Sequence, residues 1–402
     1  MKRQASERHT TLVLLGGAAA LIVAMGIGRF AFTPILPSML ERHLFTAAGA
    51  GYLAAGNYMG YLLGAVALTL VRVKNRSAAL AAGLLVSIAT TWGMAVCGSL
   101  DGWLALRFLS GFASAAVFIL VSGIVLERLS ALQTGLFYGG VGAGILLTGL
   151  TVPLLGRHGG WSEAWQGLGA MSLVLGLAAW LALRHRSGSA QASAAAPIAA
   201  PPSAAPPSGA RRIVIVLMIA YGLEGLGYIV TGTYLAAFAK TVSSLPNLAS
   251  VSWTVVGVAA APSCLVWSLA ASRWGKKRSL TAAMLLQAVG IALPVLLPSS
   301  AAVFAGAFLF GATFMGITTL FVAYAKELYP QNNRTMIGWL TAFFGLGQML
   351  GPLAAGLLLA GSGGYRSALL GAACVVLLGA VSLPLGIRRS AERPALSGHR
   401  TL

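Results

Sequence analysis

The sequence predicts an all-α integral membrane protein, with twelve transmembrane helices in two pseudo-symmetric six-helix bundles. Three observations carry that expectation: composition, the spacing of apolar runs and the loop-by-loop distribution of charge. Of 402 residues, 57% are hydrophobic and only 9% charged, with a mean hydropathy of +0.84, whereas soluble domains carry roughly 25% charged residues. A water-soluble enzyme is excluded. A spanning helix needs roughly 20 apolar residues, so a chain of this length holds about twelve spans and little else.

The elements follow in order. The first apolar run, 11–36, is too long for a signal-peptide core and has no small-residue cleavage site after it, so it is read as a retained helix. Runs at 48–71, 77–98, 103–126, 133–155 and 163–183 complete a first half, 1–186. Between 187 and 210 every residue except Gln191 and Ile198 is Ala, Ser, Pro or Gly, and none is charged. Such a segment cannot form a packed core and is expected to be a disordered cytoplasmic linker. A second half, 211–402, holds runs at 213–238, 250–271, 279–297, 302–325, 335–360 and 365–386. The halves share weak similarity, the mark of a duplicated unit. Gly26-Ile27-Gly28 in the first run matches Gly225-Leu226-Gly227 in the seventh, and Gly111 in the fourth matches Gly311 in the tenth.

A net charge of +19 would suggest nucleic acid in a soluble protein, but here the basic residues sort by loop. Counting alternate loops, one side holds twenty-one Lys and Arg, and the other only Arg42, Arg157, Lys240 and Arg366. This is a positive-inside signal: both termini are expected in the cytoplasm, and no nucleic-acid partner is expected. Cys97, Cys264 and Cys374 lie in apolar runs without metal-type spacing, so no disulfide framework, metal or cofactor is indicated. The 51 glycines fit a bundle in which small residues let helix backbones approach closely.

Several motifs resemble the major facilitator superfamily along essentially the whole length. Ser272-Arg273-Trp274-Gly275-Lys276-Lys277 after the eighth run is similar to the superfamily's cytoplasmic gating loop, with Ser272 where an Asp is usual; the resemblance implies a gating role for Arg273, Gly275, Lys276 and Lys277. The equivalent loop of the first half, Arg72 to Arg76, lacks the acidic residue and the glycine. Arg107 with Gly111 and Ala115 resembles the fourth-helix motif of proton-coupled members, and Gly347, Gly351-Pro352 and Gly356 follow the glycine-proline motif of antiporters. The fifth run keeps Gly140, Gly144 and Gly149 but has Ile145 where proline is usual, which leaves antiport open. Gly26 to Pro34, together with Tyr221 to Tyr228, resembles the uncharacterised YbfB-like branch of the superfamily. The resemblance implies the major facilitator fold and a bacterial inner membrane location; the expected partners are a small-molecule solute, a proton gradient and the lipid bilayer, with the monomer as the unit.

Only Arg29, Arg107 and Glu224 among the charged residues sit well inside apolar runs, where each would cost about 2.5–3.5 kcal/mol on insertion scales if it faced lipid. Something internal must solvate them. Steps of three and four place Tyr221, Glu224, Tyr228 and Thr231 on one face of the seventh run; Gly26, Arg29, Thr33 and Pro37 form a similar stripe on the first, and Arg107, Ser110 and Ser114 on the fourth. In the resembled fold these helices line a central cavity, to which Asn57 and Gln348 are further candidates. Plainer roles stand beside this: Arg107 bonding helix-end carbonyls, Arg29 satisfying carbonyls freed by Pro34, Glu224 as a static counter-ion, and Asn57 or Gln348 as interhelical glue.

The expected function is a secondary active transporter, since no nucleotide-binding loop supplies ATP energy. Two cavity arginines against one carboxylate favour a small anionic or carboxylate-bearing organic solute, with Arg29, Arg107, Tyr228, Thr231, Asn57 and Gln348 as binding candidates. Glu224, the one acidic residue deep in a span, is the candidate for proton coupling. The alternative is an efflux pump for hydrophobic drugs or metabolites. A membrane-embedded enzyme is disfavoured, because the spans hold no His and no Asp or Cys-His pairing for a nucleophile or metal centre.

Overall fold

The first apolar run is not one helix but three pieces: α1 (Lys2–Leu21), a π-helical turn (Ile22–Ile27) and α2 (Phe32–Glu41). The computed structural model describes residues 2–71, 73–126, 129–157, 160–184, 208–242, 247–328, 333–361 and 364–387. The sequence expects a kink at Pro34; the structure places the break earlier and makes it wider. Within the π turn the bonds reach back one residue further than in an α-helix, Gly28 N–H to Val23 O at 2.9 Å and Phe30 N–H to Met25 O at 3.1 Å. Pro34 has no N–H to give Phe30, whose carbonyl instead accepts from Thr33 at 3.2 Å in a tighter turn. Overwound and underwound turns thus meet at residues 28–31.

Eleven further helices follow: α3 (Ala47–Leu70), α4 (Arg76–Val96), α5 (Leu100–Val125), α6 (Ala131–Leu155), α7 (Trp161–Leu183), α8 (Ser208–Val242), α9 (Leu248–Trp274), α10 (Lys276–Leu296), α11 (Ser300–Leu328), α12 (Asn333–Ala360) and α13 (Gly364–Gly386). No strand occurs among the described residues. Several of their starts carry capping side chains. Thr46, Asn75 and Ser99 accept from the backbone N–H three residues on, at 3.1, 3.0 and 3.2 Å, and Ser130 with Gln133 forms a reciprocal capping box. Eleven segments are long and apolar enough to cross a membrane among the described residues. The twelfth helix of comparable length is α3, whose 24 residues include Asn57, Tyr58 and Tyr61. Of the expected linker 187–210, residues 187–207 lie outside the described residues and 208–210 open α8.

Packing brings α5 against α3 and α4, and α7 against α1 and α4; likewise α8 packs on α12 and α13, and α11 on α9 and α10. The broadest packing between the helices before residue 185 and those after 207 is α6 with α9 and α3 with α12. Glycines make the first seam possible: a methyl group on Gly142 would lie 2.6 Å from the Ala261 Cα, and one on Gly149 2.6 Å from Thr254 Oγ1. The ladder of α6 serves packing on its other side too, where a Cβ on Gly144 would stand 2.7 Å from the Cα of Gly26 in the π turn.

At one end of the molecule α2, α3 and α8 are tied together. The Thr33 hydroxyl donates to the Gly232 carbonyl, Tyr234 to the Ala47 carbonyl at 3.1 Å, and Lys240 pairs with Glu41. At the other end the α9–α10 corner turns on Gly275, whose φ of +83° only glycine adopts without strain. Beyond it Lys276 pairs with Glu327 of α11 and Lys277 donates to the Ile387 carbonyl, while Arg273 is exposed.

Candidate functional site

The break in the first span decides what its neighbours do. With residues 28–31 outside any regular helix, the carbonyls of Gly28 and Arg29 need donors, and α5 supplies them. Arg107 gives Nη1 to Gly28 O at 3.0 Å and Nη2 to Arg29 O at 3.2 Å, and the Ser110 hydroxyl adds a second bond to Gly28 O at 2.9 Å. One turn on, Ser114 donates to Ala24 O at 2.6 Å. The polar stripe of α5 is therefore directed at the backbone of the broken span. Arg107 is 2% exposed and lies over the Phe32 ring at 4.9 Å, with only its Nε unpartnered. Asn57 of α3 holds α5 in place through Nδ2 to the Arg107 carbonyl at 2.8 Å, and its Oδ1 has no partner.

Arg29 is in a different condition. It is 3% exposed, and its Nε and Nη2 have no hydrogen-bond partner, while Nη1 points to the Met25 sulfur at 4.0 Å. Aromatic rings surround the guanidinium, with Tyr61, Tyr58 and Phe30 centroids at 4.1, 4.8 and 5.6 Å from its Cζ. Cation–π contacts of this kind hold a desolvated guanidinium without neutralising it. The two unpartnered nitrogens form one edge of the planar fork, the edge that binds a carboxylate with two parallel bonds.

The α8 stripe divides by partner. Tyr221 stacks between Phe321 of α11 and Phe344 of α12, at 4.3 and 4.2 Å between centroids. Tyr228 lies parallel to Phe344 and Phe314, at 5.5 and 5.9 Å with interplanar angles of 2° and 8°, and Gln348 Nε2 donates to its hydroxyl. Phe314 in turn meets Phe30 edge-on at 6.2 Å, which joins this aromatic group to the surroundings of Arg29. Thr231 is buried with its Oγ1 unpartnered. Glu224, 1% exposed, has Gln287 of α10 beside it; its Oε2 and both polar atoms of the Gln287 amide lack a hydrogen-bond partner. No ion pair joins Glu224 to Arg29 or Arg107 among the described residues.

Arg29, Arg107 and Asn57 thus meet around the broken span, and Tyr228 with Gln348 faces them through the aromatic group. Glu224 lies apart, inside the helices that follow 210. Three features escape a reading of the sequence. Gln287 is a lone amide in an apolar run, and nothing in that run says which span it faces. Tyr58 adjoins Asn57 but off its face, and Phe30, Phe314 and Phe344 look like ordinary core until their rings are seen to converge.

The whole arrangement matches known transporters in shape. The structure of the nucleoside transporter NupG superposes with a TM-score of 0.73 at 15% identity, covering 92% of this chain and 98% of that one. A point variant of the same transporter gives 0.72 at 15% identity over 94% and 100%. At this identity the likeness shows the fold alone. None of the curated proteins matches the sequence. A family model described as "Uncharacterised MFS-type transporter YbfB" matches residues 21–383, nearly the whole helical part, with the broken first span and Glu224 inside it. The chain belongs to that family of the major facilitator superfamily: it is a multi-pass membrane transporter of a small solute, not an enzyme.

Proposed function

We propose that this transporter carries a small anionic, carboxylate-bearing organic solute, with proton movement through Glu224 driving the cycle. One observation carries the solute class: the buried, unpartnered Nε–Nη2 edge of Arg29. A guanidinium kept in an apolar interior without a counter-ion is costly unless a ligand supplies the charge. Arg107 then acts as a positioning residue, holding the backbone from which Arg29 projects, while Tyr228, Thr231, Asn57 and Gln348 offer polar groups to the body of the solute. The test is thermal stabilisation of the purified protein by a panel of organic anions. Stabilisation by carboxylates that Arg29→Gln abolishes supports the reading; equal stabilisation of wild type and variant sinks it.

The Glu224 carboxyl has no basic partner to hold its charge, and the titratable groups near it are Tyr221 and Tyr228 of its own helix. Gln287 beside it offers an amide that donates to the charged form of the carboxyl or accepts from the neutral one. The two halves, 1–186 and 211–402, rock about the α6–α9 and α3–α12 seams as two six-helix bundles, with the 187–210 linker and both termini in the cytoplasm of a bacterial cell and the monomer as the working unit. A second reading, efflux of hydrophobic compounds, is favoured by the aromatic group around Tyr228. Under that reading neutral ring compounds would stabilise the protein and the Arg29 variants would not matter.

A further inference from the structure

We infer that the carboxylate is borne by a flat aromatic ring, so that the solute is an aryl or heteroaryl carboxylate rather than an aliphatic acid. This rests on the reading of Arg29 as the carboxylate anchor and adds what the rest of the site selects. The observation is the orientation of the rings. Tyr228, Phe344, Phe314 and Phe310 come from α8, α12 and α11, yet all lie close to one plane direction: Tyr228 is 2° from Phe344, 8° from Phe314 and 20° from Phe310, and Phe310 is 12° from Phe314. Aromatic pairs pack either offset-stacked or edge-on. Here three helices present faces that are parallel.

The parallel group adjoins the anchor. Phe314 touches Phe30 edge-on at 6.2 Å, and the Phe30 centroid is 5.6 Å from the Arg29 Cζ. The guanidinium carbon lies over the Tyr58 and Tyr61 rings, at 4.8 and 4.1 Å from their centroids, and the in-plane edge bearing Nε and Nη2 has no hydrogen-bond partner. A carboxylate bound along that edge is coplanar with the guanidinium. In an aryl carboxylate the ring is conjugated with the carboxylate and lies in or near the same plane, so both ends of the solute are satisfied by flat surfaces. An aliphatic ring of equal size makes the same two hydrogen bonds but offers no π face to Tyr228 or Phe314.

The experiment uses the full chain in detergent or nanodiscs and three probes of similar volume: benzoate, cyclohexanecarboxylate and benzamide. Benzoate is expected to bind about tenfold tighter than cyclohexanecarboxylate, the size of one or two offset-stacked contacts, with benzamide weakest. Phe314→Leu and Phe344→Leu keep an apolar side chain while removing a ring, and should bring benzoate and cyclohexanecarboxylate to within about twofold of each other. If the variants fail to fold, the wild-type ratio decides alone. Equal binding of the two acids, both dependent on Arg29, overturns the aromatic assignment and leaves the carboxylate reading standing. Benzamide binding as well as benzoate overturns the carboxylate reading itself, and no binding of any probe at millimolar concentration overturns both.

Discussion

Arg29 and Arg107 are both buried arginines in membrane spans, and their surroundings give them different work. Arg107 spends both Nη groups on backbone carbonyls, whereas Arg29 keeps a free edge. Arg29→Lys preserves charge and most of the cation–π contact but loses the two-pronged geometry, so affinity for a carboxylate solute should fall about tenfold or more while the melting temperature changes little. Ligand-induced thermal shifts measure both, and an unchanged affinity removes Arg29 from the site. Glu224→Gln should separate two activities. Exchange of labelled for unlabelled solute needs only reorientation of the loaded carrier and should persist, while proton-driven accumulation in proteoliposomes should vanish. Accumulation that survives with its pH dependence intact would exclude Glu224 as the coupling group.

At the scale of elements, the broken first span is held open by α5. Arg107→Gln strips the Arg29 carbonyl of its side-chain donor and leaves Gly28 with Ser110 alone. A buried acceptor without a partner costs about 1–3 kcal/mol, so this variant should melt clearly below wild type and bind solute weakly, because the backbone carrying Arg29 is no longer fixed. Ser110→Ala leaves Arg107 on Gly28 and should cost about 1 kcal/mol or less. Equal losses from the two would mean that α5 does not order the break. At the α9–α10 corner, Gly275→Ala forces a side chain into φ near +83° and should lower stability by about 1 kcal/mol with solute affinity unchanged. A matched fall in affinity would tie that corner to the binding site.

For the whole molecule, the Lys240–Glu41 pair joins α8 to α2 across the sequence halves at the end where Thr33 and Tyr234 also bridge them. Its side chains are 42% and 61% exposed, so as a source of stability it is worth no more than about 1 kcal/mol and weakens in salt. Its larger effect should be on the balance between states. Glu41→Gln is expected to raise the labelling of cysteines introduced near Tyr234 by membrane-impermeant thiol reagents, and unchanged labelling would show that the pair does not hold that end shut. Shortening the 187–210 linker by a few residues should leave transport intact, and a reporter placed within it should be cytoplasmic; a reporter found outside would overturn the proposed orientation.

Composition and the apolar period by themselves determined that this chain is a helical membrane protein, because spanning lengths and the scarcity of charge are local properties. They also singled out Arg29, Arg107 and Glu224, since any charge in an apolar run stands out against its neighbours. What each charge does was decided only by tertiary structure. Pro34 announced a kink, but the π-helical turn at Ile22–Ile27 arises where Gly26 packs on Gly144 of α6, and it frees carbonyls that Arg107 reaches from 78 residues away. Glu224 shares a sequence stripe with Tyr228, yet lies beside Gln287 of α10 rather than an arginine. The physical reason is the same in each case: sequence spacing fixes the face a side chain occupies on its own helix, while the partner it meets depends on the rotation and depth at which a distant helix packs against that face.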